Sequence, residues 1–397
     1  MIQPILTTLS NGLRVLVIPI RNRKTVYFDF VVETGSRWET EKEKGLSHLT
    51  EHVISDRILK TLPKDSWDNH YIAMDFEATT YDRRTNFECT THKKDLNKGI
   101  SFISNCLHLN GVTEKDVQHE KERIIMELRE QKNDPFMRHA ERCRTFVFGT
   151  YPLSIFPGGT EQSVQKKSLN DVTHYFQTHH TPDRMLLTIA GDIQPSTVIK
   201  QVKKSFGSLK GKTSSIIKPP KQISGRKDEI CKGSASITYS WLLPQIRIQE
   251  NVELEFVMNV LENYLRKTVQ KKLSLYSIST DVTTYKDFSW VTIDSVSDGK
   301  RLKEYEKILS KSLKAFPSLF TQKRFKKVIN ERCIDLELSE DSIHSIANSA
   351  AWYLMTFGKP ITPSDQANIL KKIQRKDVIN IYKRILKMKP AIIVSNV

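Results

Sequence analysis

The two halves of the chain repeat one pattern, and this repeat constrains the fold more than any other feature. Ser168 begins a helical pattern with Asp171 three residues later, which is the arrangement of a capping box. Residues 374–377 repeat this spacing 206 positions further on. Each predicted helix is followed by a proline, Pro182 or Pro390, and then by an apolar strand. The repeat predicts two domains of one architecture that arose by duplication.

A break in the pattern lies between the halves. Residues 211–225 combine glycine, serine and a pair of prolines, which interrupt any helix or strand period. A chain of 397 residues also suits two domains of about 200 residues each. We therefore predict a first domain over residues 1–210, a linker over residues 211–225 and a second domain over residues 226–397.

The local patterns indicate a mixed α+β fold. Alternation typical of strands occurs at residues 13–18, 26–32, 236–242 and 289–295, with long helical stretches between such segments. We predict that each domain is a largely antiparallel sheet packed with helices.

The pentapeptide HLTEH at residues 48–52 is the strongest chemical signal. It has the form H-x-x-E-H, the inverse of the H-E-x-x-H motif of zinc peptidases. On a helix, His48 and His52 lie one turn apart on one face, with Glu51 beside them. This set predicts two imidazole ligands for one zinc ion and a carboxylate base, and it requires a third protein ligand.

A second helix supplies candidates for that ligand. Residues 117–130 contain neither glycine nor proline and are rich in helix formers. Glu120 and Glu127 are seven residues apart and share a face, whereas Glu122 points elsewhere. Glu130 lies one turn beyond Glu127. Spacing alone therefore leaves Glu120, Glu127 and Glu130 as alternatives, and it also allows an ordinary solvated acidic face.

Composition narrows the class of protein. No stretch approaches the roughly 18 apolar residues that a membrane helix needs, and the N-terminus lacks the pattern of a secretion signal. The net charge of +17 fits a lysine-rich solvated surface better than nucleic-acid binding, because the basic residues are dispersed and no nucleic-acid motif accompanies them. An odd number of cysteines without a C-x-x-C pair predicts reduced thiols in a cytoplasmic protein. The five are Cys89, Cys106, Cys143, Cys231 and Cys333.

A series of short motifs in a fixed order surrounds the pentapeptide. They lie at residues 8–15, 33–37, 44–48, 149–153, 159–161 and 175–192. With these motifs, the chain resembles the pitrilysin/insulinase family of zinc metallopeptidases. The resemblance is to the short two-domain form that includes the mitochondrial processing peptidase and its bacterial relatives. It implies a zinc endopeptidase that hydrolyses short or unfolded peptides, and a chain that forms half of a clamshell chamber.

The resemblance also ranks the acidic residues. It implies that Glu127 is the third zinc ligand, with His48 and His52, and that Glu120 orients a ligand by hydrogen bonding. It implies that Glu51 is the general base for the attacking water.

The substrate strand of the family corresponds to Glu77, Ala78, Thr79 and Thr80. In the family an extended peptide adds to this strand at the edge of a sheet. Glu77 stands where the family usually has asparagine, which adds a negative charge beside the predicted site.

The second half departs from the family at one further place. In the family an arginine and a tyrosine seven residues apart contact the substrate or the tetrahedral intermediate, and here these positions hold Val269 and Tyr276. The resemblance thus implies a catalytic role for Tyr276. Lys271 or Lys272 could supply the missing charge, but lysine lacks the forked donor of arginine. The preceding glycine-rich run is replaced by residues 261–268, which are predicted to continue a helix.

This departure bears on assembly. The resemblance implies a homodimer or a heterodimer with a related chain, and Val269 favours the heterodimer. The alternative to an enzyme is a non-catalytic scaffold or partner subunit of such a heterodimer.

Overall fold

The computed structural model describes residues 2–60, 75–212, 218–230, 235–273, 275–297 and 301–396. Contacts between Cα atoms divide the chain into two compact units. Unit 1 consists of Met1–Gln131, Ile155–Ile217 and Ser342–Trp352, and unit 2 consists of Lys132–Ser154, Lys218–Asp341 and Tyr353–Val397. The predicted domains, residues 1–210 and 226–397, and the linker, residues 211–225, include residues outside the described ranges. Their limits therefore stay predictions.

A six-stranded sheet forms the centre of unit 1. Its strands are β1 (Ile5–Thr8), β2 (Arg14–Pro19), β3 (Thr25–Val32), β4 (Glu77–Thr80), β5 (Thr85–His92) and β6 (Met185–Gly191). They lie in the order β1-β2-β6-β3-β5-β4, so β4 is an edge strand of the described sheet. All neighbours are antiparallel except β2 and β6, which are parallel.

Helices of unit 1 pack with this sheet. They are α1 (Leu46–Lys60), α2 (Leu96–Ser104), α3 (Glu114–Asn133), α5 (Glu161–Gln165), α6 (Leu169–His179) and α7 (Pro195–Phe206). The intervening helix α4 (Pro135–Phe148) belongs to unit 2. Alternate residues of β3, among them Phe28 and Phe30, point into a core with Ile54 and Ile58 of α1. The apolar residues on one face of the strand and the apolar residues on one side of the helix thus pack in one core.

Unit 2 contains a five-stranded sheet. Its strands are β7 (Gly225–Ile230), β8 (Ala235–Pro244), β9 (Ser277–Thr284), β10 (Phe288–Ser297) and β11 (Ala391–Asn396), in the order β7-β11-β8-β10-β9. Further helices among the described residues are α8 (Ile248–Leu265), α9 (Leu302–Leu319), α10 (Gln322–Ser339), α11 (Ile343–Phe357), α12 (Pro363–Leu370) and α13 (Arg375–Lys387). Most of α11 is assigned to unit 1. Helix α8 is followed by a π-helical turn, Arg266–Gln270.

The strand directions confirm the duplication. In each sheet, one parallel pair is followed by three antiparallel pairings, so β2, β6, β3, β5 and β4 match β7, β11, β8, β10 and β9 in that order. The capping boxes predicted at Ser168 and at residues 374–377 are both present. The predicted α+β class, with largely antiparallel sheets packed with helices, is confirmed. Among the described residues, no helix is both long and apolar enough to cross a membrane.

Candidate metal centre

Helix α1 carries the pentapeptide and is fixed along its length by burial. Leu46, Leu49 and Val53 pack with apolar residues of α3 and α6 in a second core cluster. Because Ile54 and Ile58 enter the sheet core on another side of the helix, α1 is held between two apolar layers. Its rotation about its own axis, and so the direction of its histidines, is therefore set by packing.

A buried carboxylate holds the first turn of α1. Glu39 accepts hydrogen bonds from the backbone N–H groups of Gly45 (3.0 Å) and Ser47 (2.7 Å) and from the Ser47 hydroxyl (2.6 Å). These donors include N–H groups that a helix N-terminus leaves without an internal partner. Burial raises the pKa of Glu39 to about 7, although the three hydrogen bonds oppose the shift.

Two glycine backbones touch beside this turn. Gly45 has a φ of +84°, which a residue with a side chain rarely adopts. A Cβ atom added to Gly159 would lie 2.9 Å from the Gly45 Cα. A Cβ atom on Gly158 would lie 3.5 Å from His48 Nδ1. The loop at residues 158–159 is thus packed against both the start of α1 and its first histidine.

Three side chains converge at the predicted metal site. His48 Nε2 and His52 Nε2 are 3.1 Å apart, and Glu127 Oε2 of α3 lies 3.9 Å from the first and 3.8 Å from the second. These three residues form the group of potential ligands found in the described part of the chain. Of the alternatives left open by spacing, Glu127 is the one that faces both ring nitrogens.

Glu120 occupies the position behind His52. Its side chain is fully buried, and its Oε2 atom lies 3.0 Å from His52 Nδ1. Arg123 also donates to this carboxylate. Burial raises the pKa of Glu120, but the bonds to His52 and Arg123 outweigh it and lower the pKa. In the tautomer whose Nδ1–H donates to an anionic Glu120, the lone pair of His52 is on Nε2, the nitrogen that lies 3.1 Å from His48 Nε2.

The geometry fits a zinc ion. Two ligand atoms about 2.1 Å from a tetrahedral zinc ion lie about 3.4 Å apart, close to the separation of the two Nε2 atoms. A carboxylate behind a ligating histidine is the usual support of such a site. Burial and the neighbouring His52 lower the pKa of His48 to about 3, so His48 stays neutral as a ligand must. Its Nδ1 atom has no hydrogen-bond partner among the described residues.

Glu51 lies beside the convergent side chains and is almost fully buried. Its Oε2 atom is 3.9 Å from His48 Nε2 and accepts a hydrogen bond of 3.2 Å from the Thr80 hydroxyl. Burial raises the pKa of Glu51; His52 and Thr80 lower it and Glu127 raises it, with a net rise. A carboxylate with a raised pKa is suited to accept and return a proton near neutral pH.

The predicted substrate strand is β4 itself. Glu77, Ala78, Thr79 and Thr80 form the whole strand, and they pair with β5 on one side. Thr80 contacts Glu51, so the end of this edge strand lies at the predicted base. The sequence predicted Thr80 only as a strand residue; its hydroxyl bond to Glu51 depends on a sheet register that sequence patterns do not show.

The predicted second-half residues lie in unit 2. Tyr276 is 77% exposed and stacks on Phe136, with ring centroids 6.1 Å apart. Val269 is fully buried in the π-helical turn, and residues 261–268 are helical throughout, as predicted, although the last three adopt the π form. Lys271 and Lys272 are exposed in the short helical turn that follows. A π turn accommodates an extra residue in a helix and is frequent at functional sites.

Known protein families match both halves of the chain. The family model described as Insulinase (Peptidase family M16) matches residues 14–150, and the model described as Peptidase M16 inactive domain matches residues 167–332. An uncharacterized zinc protease of Rickettsia bellii is 21% identical over 388 residues, which cover 95% of this chain and 93% of the relative.

Two mitochondrial relatives match about half of this chain. The mitochondrial-processing peptidase subunit beta of Caenorhabditis elegans is 30% identical over 52% of this chain and 45% of its own. Cytochrome b-c1 complex subunit 1 of Bos taurus is 27% identical over 51% of this chain and 42% of its own.

The fold has a close counterpart among solved structures. A protease from Helicobacter pylori superimposes with a TM-score of 0.86 at 18% identity, and the match covers 100% of both chains. The two family models together span most of the chain. The chain therefore belongs to the insulinase family, peptidase family M16.

Proposed function

We propose that this protein is a zinc-dependent endopeptidase that hydrolyses short or unfolded peptides. The observation that carries the proposal is the convergence of His48, His52 and Glu127 beside a buried Glu51 at the end of an edge strand. When bound, zinc polarises a carbonyl group and lowers the pKa of a coordinated water. The three convergent side chains would hold the ion.

The proton transfers fall to Glu51. Its carboxylate accepts a proton from the attacking water and delivers it to the departing amine. Thr80 donates to one carboxylate oxygen and so fixes the direction of the other. Glu120 keeps His52 in the tautomer whose Nε2 carries the lone pair.

The substrate class follows from strand β4. A peptide that pairs with this edge must present an extended backbone with free N–H and C=O groups. Folded proteins rarely offer such a segment, because their buried backbone groups are already paired. Glu77 begins β4 and is exposed, so it would meet the substrate beside the paired strand.

The roles of the second half stay proposals as well. Tyr276 is exposed enough to contact a substrate, whereas the buried Val269 places no charge at the family's arginine position. This difference supports a heterodimer with a related chain; a homodimer with a second copy is the alternative assembly. The four described cysteines are free and buried, which is compatible with a reducing compartment such as the cytoplasm.

One experiment tests the activity. Wild type and Glu51→Gln are compared for bound zinc and for cleavage of a mixed peptide pool, with the exposed Glu122→Gln of α3 as the matched control. We expect the Glu51→Gln protein to retain zinc and lose cleavage, and the control to behave as wild type. Equal cleavage by all three proteins would overturn the role of Glu51. Glu127→Gln should lose zinc, whereas Glu130→Gln should keep it.

The same measurements address the second candidate, a non-catalytic subunit. The description of the second family model as an inactive domain and the relative in the cytochrome b-c1 complex favour it. A purified wild-type protein that binds no zinc would support this candidate. Full turnover by the purified chain alone would remove the need for a different partner.

A further inference from the structure

The two histidines of the metal centre are held unequally. His52 Nδ1 lies 3.0 Å from Oε2 of Glu120. His48 Nδ1 is also buried, but it has no hydrogen-bond partner within the described part of the chain. A hydrogen bond to the second ring nitrogen fixes the orientation of a ligating histidine. Among the described residues, this kind of support therefore reaches the site through Glu120.

The carboxylate of Glu120 needs a positive partner. Its side chain is 0% exposed, and a buried carboxylate is costly unless it is paired and hydrogen-bonded. A histidine that ligates a metal is neutral, so His52 contributes a hydrogen bond and no charge. Arg123 supplies the positive charge, since it forms an ion pair with Glu120. Loss of this partner would leave an uncompensated buried charge.

Arg123 also fixes the orientation of the carboxylate. Its Nη1 atom lies 3.1 Å from Glu120 Oε1 and 3.0 Å from Glu120 Oε2. The same Oε2 atom contacts His52 Nδ1. A quarter turn of the carboxylate would weaken its contacts with Arg123 and with His52 together. The arginine thus opposes a rotation that would release the histidine.

The position of Arg123 on α3 makes this arrangement possible. Residues three apart on a helix are neighbours, and Arg123 follows Glu120 by three. The Arg123 side chain is 50% exposed, and ion pairs of exposed side chains usually contribute little to stability. This pair differs from that class, because its acid is fully buried and bonds to the predicted zinc ligand His52. We therefore expect its consequence at the metal centre.

We propose that Arg123 is a positioning residue of the metal centre, which acts through Glu120 to hold the His52 ring in the orientation that binds zinc. The contacts run from Arg123 to Glu120 and from Glu120 to His52. Among the described residues, no bond or ion pair joins Arg123 directly to His48, His52 or Glu127. The proposal rests on the proposed function, because it assumes that these three side chains bind zinc.

The same helix offers a matched comparison. Arg129 Nε lies 3.0 Å from Oε2 of Glu161 in α5, and the two side chains are 66% and 31% exposed. Replacement of either arginine of α3 by glutamine removes one positive charge and one ion pair. The two variants differ in the acid that loses its partner, which is buried behind His52 in one case and partly exposed in the other. Arg129→Gln is therefore the control for Arg123→Gln.

The test measures the zinc affinity of the full-length protein by competition with a chromophoric chelator. We expect Arg123→Gln to bind zinc at least about fivefold more weakly than wild type, somewhat less than the loss when the contacting carboxylate itself is removed. Arg129→Gln should stay within about twofold of wild type, as for an ordinary exposed pair. Arg123→Lys retains a charged donor and should lose less affinity than Arg123→Gln.

A double variant shows whether Arg123 acts through Glu120. Glu120→Gln alone and Arg123→Gln/Glu120→Gln should bind zinc with the same affinity, because the arginine has no route to His52 once the carboxylate is gone. The visible absorption spectrum of the cobalt-substituted protein reports the ligand geometry. This spectrum should change in Arg123→Gln and stay as in wild type in Arg129→Gln. Thermal melts confirm folding, and Arg123→Met replaces Arg123→Gln in both measurements if the glutamine variant unfolds.

Two results would overturn the proposal. Equal losses of zinc affinity in Arg123→Gln and Arg129→Gln would indicate an effect of overall charge. Losses that multiply in the double variant would show that Arg123 acts independently of Glu120.

A wild-type protein without zinc affinity would instead contradict the proposed function. The positioning role is then decided in the metal-free protein by nuclear magnetic resonance of isotope-labelled histidine. Arg123→Gln should alter the ring-nitrogen signals of His52, whereas Arg129→Gln should leave them as in wild type. Unaltered signals in both variants would refute the positioning role.

Discussion

Helix α1 of unit 1 and helix α8 of unit 2 occupy matching places but carry different chemistry. In unit 1, the Thr80 hydroxyl donates to Glu51. The same hydroxyl lies 3.2 Å from the hydroxyl of Thr85, the residue that pairs with Thr80 across the two strands. In unit 2, Thr284 donates to Asn251 at 2.7 Å and lies 3.1 Å from its own cross-strand partner, Ser289.

The match identifies Asn251 as the counterpart of Glu51. The positions of the two histidines, three before and one after, are then Ile248 and Val252 in α8. The duplicated fold thus supplies the helix, the edge strand and the hydroxyl bond in both units. The chemistry of unit 1 depends on a few side chains placed on that shared frame.

A second matched pair lies on β3 and β8. Asn86 donates to the buried Asp29 at 3.0 Å in unit 1, and Trp290 donates to Ser240 at 2.8 Å in unit 2. The registers of the two sheets place these pairs at equivalent positions. Burial and the neighbouring Glu88 raise the pKa of Asp29 to about 7, whereas the pair in unit 2 has no ionisable group.

The largest expected effect comes from giving unit 1 the residue of unit 2. Glu51→Asn should lower the rate of peptide cleavage by about 10²- to 10⁴-fold, since an amide cannot act as the base. The fold should persist, because Asn251 shows that the frame accepts an amide beside a threonine. Cleavage rate and thermal midpoint are measured together. Asn251→Asp is the reciprocal control and should leave the cleavage rate unchanged.

Removal of the carboxylate behind His52 tests a feature of unit 1 alone. Glu120→Gln should weaken zinc binding about 10- to 100-fold, because the amide supports the histidine less well than the anion. Competition with a chromophoric chelator measures the affinity. Glu122→Gln on the exposed side of α3 serves as the comparison, and a loss of equal size there would contradict the role of Glu120.

The buried Asp29 predicts a pH dependence that unit 2 lacks at the matched position. Its folded-state pKa is raised, so the folded protein holds the proton between about pH 4 and pH 7 while the unfolded chain does not. Stability from this group is therefore lost as pH rises through that window. The substitution Asp29→Asn should gain about 1–2 kcal/mol relative to wild type between pH 5 and pH 7.

Urea unfolding at both of these pH values measures the gain. The exposed Asp341→Asn should show no such change with pH. A constant difference between wild type and Asp29→Asn at the two pH values would contradict a raised pKa for Asp29.

The smallest effect separates the two threonines. Thr284→Val should cost about 1 kcal/mol of stability through the lost hydrogen bond and leave cleavage intact. Thr80→Val should cost about the same stability and also reduce the cleavage rate, because Glu51 loses its orienting donor. Equal cleavage by the two variants would show that the bond in unit 1 is purely structural.

Sequence patterns predicted the features that depend on local period and spacing. The strands at residues 13–18, 26–32, 236–242 and 289–295 are confirmed by β2, β3, β8 and β10. The helix predicted over residues 117–130 lies within α3, and the repeat is visible in the order of both sheets. These features follow from apolar alternation and capping, which a sequence shows directly.

The features that sequence patterns did not predict are contacts between distant segments. Glu39 is one acid among several in the sequence, and its bond to the start of α1 depends on a buried turn. The choice among Glu120, Glu127 and Glu130 required the relative rotation of α1 and α3, which spacing does not determine.

The contact between Gly45 and Gly159 limits how this metal helix could be transplanted. The short segment that carries both histidines is held at its start by Glu39 and by a loop more than a hundred residues downstream. A designer who grafted residues 46–60 alone onto another scaffold would lose both supports. We expect such a graft to form a helix whose imidazoles are free to rotate, so a functional transplant needs the glycine loop as well.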